Sequence, residues 1–513
     1  MILIKDQLQY NSHIAHDQLF QRLVYWATTQ PEASFLVEAE TEREWSYKQT
    51  LLAVCVIRKL FGDKPRRIVL ALPGGTINAV CWLSALSGGH DLIPLAPQAT
   101  DKEKLAVTQR YQPHILLVEQ ESDASGFASA QALVLTQSMC ERLIESAPFL
   151  PLPAAREGYA YLETSGSTGE PKGVILSERQ IAWAAEHIHA SHELSPQDRG
   201  LTVLPFFHVN APVVSLCASL LAGSSLIIAK RFSRQQFWHW IEQYKITWAS
   251  IVPTIVAILQ ETEKPAFLPG SLRFIRTGSA ALPAANLLAF EERFGIPLIE
   301  TYGLSEAASQ IVANPLPPGI HKPGSAGRPT GVALRICSPR ADLEERELRD
   351  VYPGEVGEVC IAGPGVIEAY EHNEGQASFQ DGWFRTGDLG YLDADGYLFL
   401  KGRLREVINR GGENIAPCEI EDVLQSYPAV REAAVVGRPD PIYGELVVAY
   451  LTVRTNWSAE SGEHLRHYIT QHLRASKIPV ELIILSELPR NATGKIDRRL
   501  LRAHERARSN VSL

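Results

Sequence analysis

The chain is poor in the features that mark several common protein classes. Its seven cysteines, Cys55, Cys81, Cys140, Cys217, Cys337, Cys360 and Cys418, are scattered, odd in number and never spaced C-x-x-C. Such a set supplies neither a disulfide frame nor a zinc site, and it fits reduced thiols in a cytoplasmic protein. Positive charge is not in excess. Lys plus Arg is 49 against 58 for Asp plus Glu, a formal charge of −9, which argues against a nucleic-acid partner held by its phosphates. The opening MILIKDQLQY carries Lys5 and Asp6 and lacks the apolar core of a signal peptide. One uncharged run, 209–229, is long enough to raise the question of a membrane. Asn210, Pro212, Gly223 and several serines interrupt it, so it reads as a buried helix followed by the strand SSLIIA, with no membrane span. The closing NVSL is not a peroxisomal signal. What remains is a 45% apolar chain of 513 residues, ordinary for a globular protein and long enough for more than one domain.

The most informative stretch is 159–176, YAYLETSGSTGEPKGVIL. Two apolar runs flank a loop of Thr164, Ser165, Gly166, Ser167, Thr168, Gly169, Lys172 and Gly173, the pattern of strand, loop, strand. Glycines let backbone N–H groups turn inward as an anion nest. Hydroxyls add donors and Lys172 adds a positive charge, which together make a grip for polyphosphate. It is not a P-loop, because Lys172 follows Pro171 and leads into a strand rather than a helix. The same residues would also suit a turn-rich surface hairpin. A second signal lies at 297–309, PLIETYGLSEAAS. Here a strand runs into Thr301, Tyr302, Gly303, Leu304, Ser305 and Glu306. A Glu beside a Ser also suits a helix cap.

Along the chain, helical periodicity at 18–28, 46–60, 78–86, 178–189 and 284–294 alternates with apolar runs at 66–74, 91–97, 113–119, 132–136, 248–253 and 273–283. This alternation predicts parallel sheets covered by helices on both faces. His187, His189 and His192 have no carboxylate or cysteine cluster beside them, so they read as solvated helix positions rather than metal ligands. The turn-rich 321–331 leads into a β-rich portion with strands at 356–365 and within 383–403. The DADG turn at 393–396 lacks the downstream Glu and helix of a calcium loop. Near 402–405 a compact α+β pattern begins, with helices expected at about 417–425 and 464–473.

Four blocks stand in order: the loop at 164–172, Tyr302 to Glu306, Thr386 to Asp388 with Arg403, and Lys495 in NATGKIDR. In this order they resemble the motifs of the adenylate-forming superfamily of acyl-CoA synthetases, adenylation domains and beetle luciferases, and most of all a carboxylate–CoA ligase. The resemblance covers nearly the whole chain. It implies an α/β fold: a large N-terminal core, 1–403, of two αβα-type sheet subdomains plus a β-barrel-like portion, and a small mobile α+β C-terminal lid, 404–513. It implies ATP-binding positions at Thr164, Ser165, Gly166, Ser167, Thr168, Gly169, Lys172, Ser279, Ala280, Ala281, Glu300, Thr301, Tyr302, Gly303, Ser305, Asp388, Arg403 and Lys495. Within that set Tyr302 would stack on adenine, Ser305 would touch the α-phosphate, and Asp388 and Arg403 would meet the ribose hydroxyls. Glu306 would coordinate Mg²⁺, and Lys495 would reach the carboxylate and α-phosphate. His208 would border the acid and ATP sites.

The acid pocket would take in His208, Asn210, Arg276, Ser279 and Ser309, with Arg276 either pairing a second carboxylate or bonding backbone beneath the pocket. The lid would turn about Arg405, and Arg410, Gly411 and Gly412 would line the CoA tunnel. Ser305 stands where Thr is commoner, and Arg405 where Asp or Lys is commoner. The implied activity joins a small carboxylic acid to CoA through an acyl-AMP, using ATP and Mg²⁺ and releasing AMP and pyrophosphate. Its rivals are a stand-alone adenylation enzyme that loads a carrier-protein phosphopantetheine, and a non-catalytic binder of acyl-adenylates. The presence of both Glu306 and Lys495 weighs against the binder.

Overall fold

The computed structural model describes residues 18–127, 131–135, 156–164, 172–265, 270–339, 348–373, 376–454, 457–490 and 496–511. The chain divides into two compact units. The first gathers 1–282, 287–334 and 361–384, and the second 283–286, 335–360 and 385–513.

Two sheets build the first unit. One has six strands in the order Gln131–Val134, Ile115–Val118, Arg67–Ala71, Asp91–Pro94, Tyr159–Thr164 and Lys172–Ser177. All neighbours are parallel except the last pair, which is antiparallel. The other has nine strands: Arg328–Pro329, Ser309–Ala313, Leu298–Leu304, Phe274–Thr277, Trp248–Ile251, Arg199–Thr202, Ser225–Ile228, Ser34–Glu38 and Glu44–Ser46. Its middle is parallel and its ends antiparallel. Parallel strands are covered on both faces, which is why Leu226, Ile227, Ile228, Trp248, Ile251, Phe274 and Ile275 are all buried.

The covering helices start where local chemistry dictates. Ser46 with Gln49, Thr100 with Glu103 and Ser177 with Gln180 form capping boxes that open Tyr47–Phe61, Asp101–Tyr111 and Glu178–Ser191.

The strand Trp383–Leu392, which belongs to the second unit from Arg385 onward, pairs with Leu398–Arg403, and Asp388 lies opposite Arg403. A further sheet has the order Glu413–Ile415, Ile408–Arg410, Gly444–Val453, Val430–Asp440, with Glu481–Ile484 parallel to Gly444–Val453. On one face Ile420 and Leu424 of helix Pro417–Ser426 and Leu465 and Ile469 of helix Ala459–His472 pack on Val435, Val447 and Leu451. On the other, Leu501 of helix Arg498–Val511 packs with Val436, Val448 and Tyr450.

The predicted α/β alternation is present, and Ala284–Phe294 has the expected bounds. The run 209–229 is a π-helix at Asn210–Cys217, an α-turn at Ala218–Ala222 and the strand Ser225–Ile228. Among the described residues no helix is long and apolar enough to cross a membrane. The helix expected to begin at 464 begins at Ala459, because Ser458 caps it.

One expectation fails outright. His192 is not solvated: it is fully buried, with its ring 5.3 Å from that of Phe274 and 6.3 Å from that of Trp248. Burial, aided by the nearby Arg276 charge, pushes its pKa from 6.5 down to about 3. Burial and the neighbouring Arg58, Arg156 and Arg66 push His90 to about 4. Both rings are therefore neutral in the fold. An unfolded chain takes up these protons below pH 6.5 and the native protein does not, so the stabilisation is complete above 6.5 and shrinks as pH falls toward 4 and then 3. At about 1.4 kcal/mol per pH unit, each histidine costs about 2 kcal/mol on going from pH 7 to pH 5. Urea unfolding midpoints should fall over that range, and His192→Phe should reduce the fall. An identical fall in the variant would remove His192 from the cause.

Candidate active site

The strand Lys172–Ser177 returns beside Tyr159–Thr164 with Lys172 opposite Thr164. The expected strand, loop, strand frame is therefore present, while Ser165, Gly166, Ser167, Thr168 and Gly169 lie outside the described residues. The Lys172 ammonium sits 4.9 Å from the centre of the Tyr370 ring. The Tyr370 hydroxyl donates to Glu306 Oε1 at 2.7 Å, and the Glu306 carbonyl accepts from Ile367 N at 2.8 Å. Next along the chain, Glu371 accepts from Arg110 Nε at 2.9 Å and Nη2 at 2.6 Å. The lysine of the first motif and the carboxylate of the second thus converge on one tyrosine.

Glu306 follows the strand Leu298–Leu304, which runs four residues further than the PLIE expected from sequence. Thr301, Tyr302, Gly303 and Leu304 are consequently in the sheet, paired with Ser309–Ala313 through an irregularity at Tyr302 and Gly303. Gly303 is required there, because a Cβ would run into the Ser309 carbonyl. Between the two strands the chain turns through Ser305–Ala307 and then through Ala308 and Ser309, at φ 53° and 109°. Left-handed backbone at residues other than glycine costs about 1–3 kcal/mol each and tends to gather where function holds it. A third such residue, Ser279 at φ 72°, lies in the turn after Phe274–Thr277. There Ser279, Ala280 and Ala281 are exposed. The turns at 278–281 and 305–309 leave the carboxyl ends of adjacent parallel strands, the edge where open α/β sheets bind ligands.

Arg276 fastens this region from beneath. Its guanidinium is buried and donates to Asn210 Oδ1 at 3.0 Å, Ser250 Oγ at 3.1 Å, Gln310 Oε1 at 3.5 Å and Thr301 Oγ1. Ser250 Oγ donates to Asn210 Oδ1 at 3.2 Å, and Asn210 Nδ2 donates to Ser279 Oγ at 3.2 Å. The sequence left open whether Arg276 bonds backbone beneath the pocket. Its bonds among the described residues go to side chains instead. Burial lowers its pKa to about 9. His208 lies two residues before Asn210, half-buried, with its ring 4.5 Å from that of Phe207. Ser309 is buried behind the turn. Glu300 accepts from Gly324 N at 3.3 Å through its carboxylate.

The second unit holds the remaining positions. Arg403 Nε meets Asp388 Oδ1 at 2.9 Å, and Asp388 N donates to Thr386 Oγ1 at 3.1 Å. Beneath them Arg385 and Glu358 form a buried ion pair, Nε to Oε2 at 2.8 Å, and Glu358 Oε1 also accepts from Gly387 N at 3.1 Å. Arg405 is exposed, and its carbonyl accepts from Arg502 at 2.7 Å. Gly411 and Gly412, at φ 59° and 87°, make the two-residue turn between Ile408–Arg410 and Glu413–Ile415. Arg410 donates to the Ala475 carbonyl at 3.3 Å and to that of Ser476. Lys495 lies outside the described residues.

Sequence reasoning missed Tyr370, Ser250, Gln310, Arg385 and Glu358. For Gln310, Arg385 and Glu358 a signal existed: a polar or charged residue inside an apolar strand must have a partner. Tyr370 carried none.

Among the described residues no group of three or more His, Cys, Asp or Glu side chains is placed to hold a metal alone. A cation at Glu306 would therefore complete its shell with substrate oxygens, as Mg²⁺ commonly does.

The family model for AMP-binding enzymes matches residues 23–371, and that for their C-terminal domain matches 419–495. A sulfoacetate–CoA ligase from Cupriavidus necator is 40% identical over 70% of this chain and 70% of its own. An oxalate–CoA ligase from Arabidopsis thaliana is 35% identical over 86% of this chain and 89% of its own. The solved o-succinylbenzoate CoA synthetase from Bacillus subtilis, in complex with its acyl-adenylate intermediate, superposes with a TM-score of 0.79 at 29% identity, covering 95% of this chain and 98% of that one.

Gly303→Ala should lower stability by about 1–3 kcal/mol, the usual cost of forcing an atom into a packed site. The measurement is the thermal midpoint, and an unchanged midpoint would contradict the close approach to Ser309.

Proposed function

The chain belongs to the AMP-binding enzyme family and is an AMP-forming acid–thiol ligase, and from this we propose that it joins a small carboxylic acid to CoA through an acyl-AMP intermediate. The observation that carries the reading is the convergence of Lys172, Tyr370 and Glu306, since two sequence motifs 134 positions apart meet at one ring. In the first step a carboxylate oxygen bonds to the α-phosphorus of ATP while the bond from that phosphorus to the bridging oxygen breaks, releasing pyrophosphate. In the second the CoA sulfur bonds to the acyl carbon, its proton passes to solvent, and AMP leaves with the anhydride oxygen. The chemistry asks mainly for positioning and for positive charge near the phosphoryl oxygens.

Each side chain has a part in that. Lys172, with the loop at 164–169, steadies the polyphosphate. Glu306 would hold the Mg²⁺ that accompanies ATP, and that ion would offset the phosphate charge. Tyr302 and the turn at Ser279, Ala280 and Ala281 receive adenine, with Glu300, Thr301 and Gly303 shaping that wall and Ser305 reaching the α-phosphate. Asp388, held by Arg403, accepts the ribose hydroxyls, because an ionised carboxylate is acceptor-only. His208, Asn210, Arg276, Ser279 and Ser309 surround the acid. Residues 404–513 act as a lid that turns about Arg405 to bring Lys495 for the first step and Arg410, Gly411 and Gly412 for the second. Residues 1–403 form the core that holds ATP and acid. The named activities of the curated relatives, on sulfoacetate and oxalate, favour a small acid and CoA as the acceptor.

The direct test incubates purified protein with MgATP, CoA and a mixed pool of aliphatic, aryl and dicarboxylic acids, followed by mass spectrometry. A new acyl-CoA with AMP and pyrophosphate is expected. Acyl-AMP without thioester would move the acceptor to a carrier-protein phosphopantetheine, and ATP binding without pyrophosphate would favour a binder of adenylates. In the same assay Lys495→Ala should lose adenylation by two orders of magnitude or more while keeping most thiolysis of supplied acyl-AMP. Equal loss of both steps would remove Lys495 from its role.

A further inference from the structure

Two arginines are buried in the described structure close to proposed site residues, and they differ in one respect. Arg385 has a carboxylate partner, Glu358. Arg276, only 2% exposed, has none among the described residues: its acceptors there are the neutral Asn210, Ser250, Thr301 and Gln310, and its Nε meets no partner among them. A guanidinium buried without a counter-ion is costly, and an anion brought near it relieves that cost.

Thr301 passes its bond to the Thr277 carbonyl and Gln310 to Ser191 Oγ, but the Asn210 branch leads from Arg276 to an exposed hydroxyl. A guanidinium only donates, so it fixes the Asn210 amide with Oδ1 toward Arg276 and Ser250 and Nδ2 turned outward. Asn210 Nδ2 then donates to Ser279 Oγ, leaving the Ser279 hydroxyl hydrogen free to donate onward. Ser279 is exposed on its left-handed turn. A fixed charge lies at the inner end of this chain of donors, and a donor faces outward at its open end. Such a line accepts anions and offers nothing to an apolar tail.

The carboxylate that attacks phosphorus is a poor occupant for it. Its charge disappears as its oxygen bonds to phosphorus, and unlike Lys495, which would reach the α-phosphate as well, this line of donors meets no charge that grows in the transition state. A second anionic group keeps its charge through both steps.

We infer that Arg276, acting through Asn210 and Ser279, selects acids carrying a second anionic group at the end remote from the reacting carboxylate. This rests on the ligase reading and on the placement of the acid beside Ser279. Arg276 is thus a positioning and selectivity residue, not one that touches the reacting atoms.

The test measures pyrophosphate release and kcat/KM for matched pairs, malonate with propionate and succinate with butyrate, in the full-length wild type and in Arg276→Lys and Arg276→Gln. Thermal midpoints are recorded to confirm that each variant folds. The wild type should prefer the dianion of each pair by at least tenfold. Arg276→Gln should lose most of that ratio through KM for the dianion, and Arg276→Lys should retain much of it. Equal use of both members by the wild type, or a Gln variant that slows both equally, would overturn the inference while leaving the ligase reading intact. No pyrophosphate with these pairs or with any acid of the wider pool would overturn the ligase reading and this inference with it.

Discussion

A buried guanidinium joins the parts of the first unit that matter most. Arg276 draws together the start of the π-helix at Asn210, the strand at Ser250, the strand at Thr301 and the antiparallel return at Gln310. Hydrogen bonds to a charged group are worth about 1.5–3 kcal/mol each when made, and losing one partner leaves the other buried and unsatisfied. The turns above it, with their left-handed Ser279, Ala308 and Ser309, can therefore hold unfavourable backbone without collapsing. Burial keeps His192 neutral and the same charge adds to the effect, so the network's polarity reaches into the apolar layer between sheet and helix.

Sheet direction supplies the rest of the geometry. Five successive parallel pairings send their strands' carboxyl ends to one edge of the nine-stranded sheet. Turns that belong to different parts of the chain are thereby brought side by side. The six-stranded sheet makes its own contribution where the last strand reverses, which sets Lys172 opposite Thr164. Both arrangements follow from ordinary strand pairing, and short-range chemistry then fixes which side chains face the edge.

Much of this was legible in sequence because apolar runs and glycine-rich loops act locally. The strands at 66–74, 91–97 and 113–119 and the helix at 284–294 fall where periodicity put them, and the motif ending in Glu306 does run on from a strand, though that strand takes in its first residues up to Leu304. Other features depend on partners far away in the chain. Helix Asp101–Tyr111 escaped notice because only Val107, Thr108 and Tyr111 are buried, so its stripe is too thin to read. His192 looked solvated beside polar neighbours, yet strands at Trp248 and Phe274 cover it. Tyr370 sits in no motif, and its importance comes only from its contact with Glu306 across 64 positions. Strand Leu298–Leu304 outran its predicted end because Ser309–Ala313 turns back to pair with it.

The bond between Tyr370 and Glu306 bears on which ion a nucleotide can bring. The phenol donates to Oε1, so one of the two carboxylate oxygens already carries a hydrogen bond and the other is the more basic acceptor for a cation. A large flexible cation such as Ca²⁺ gains from chelation by both oxygens, whereas Mg²⁺ takes one oxygen per carboxylate at a short distance and fills its octahedron with water and phosphate. In the proposed role of Glu306 as the metal-binding carboxylate, that bond would favour one-oxygen contact and hence a small ion, through a hydroxyl that need not touch the ion.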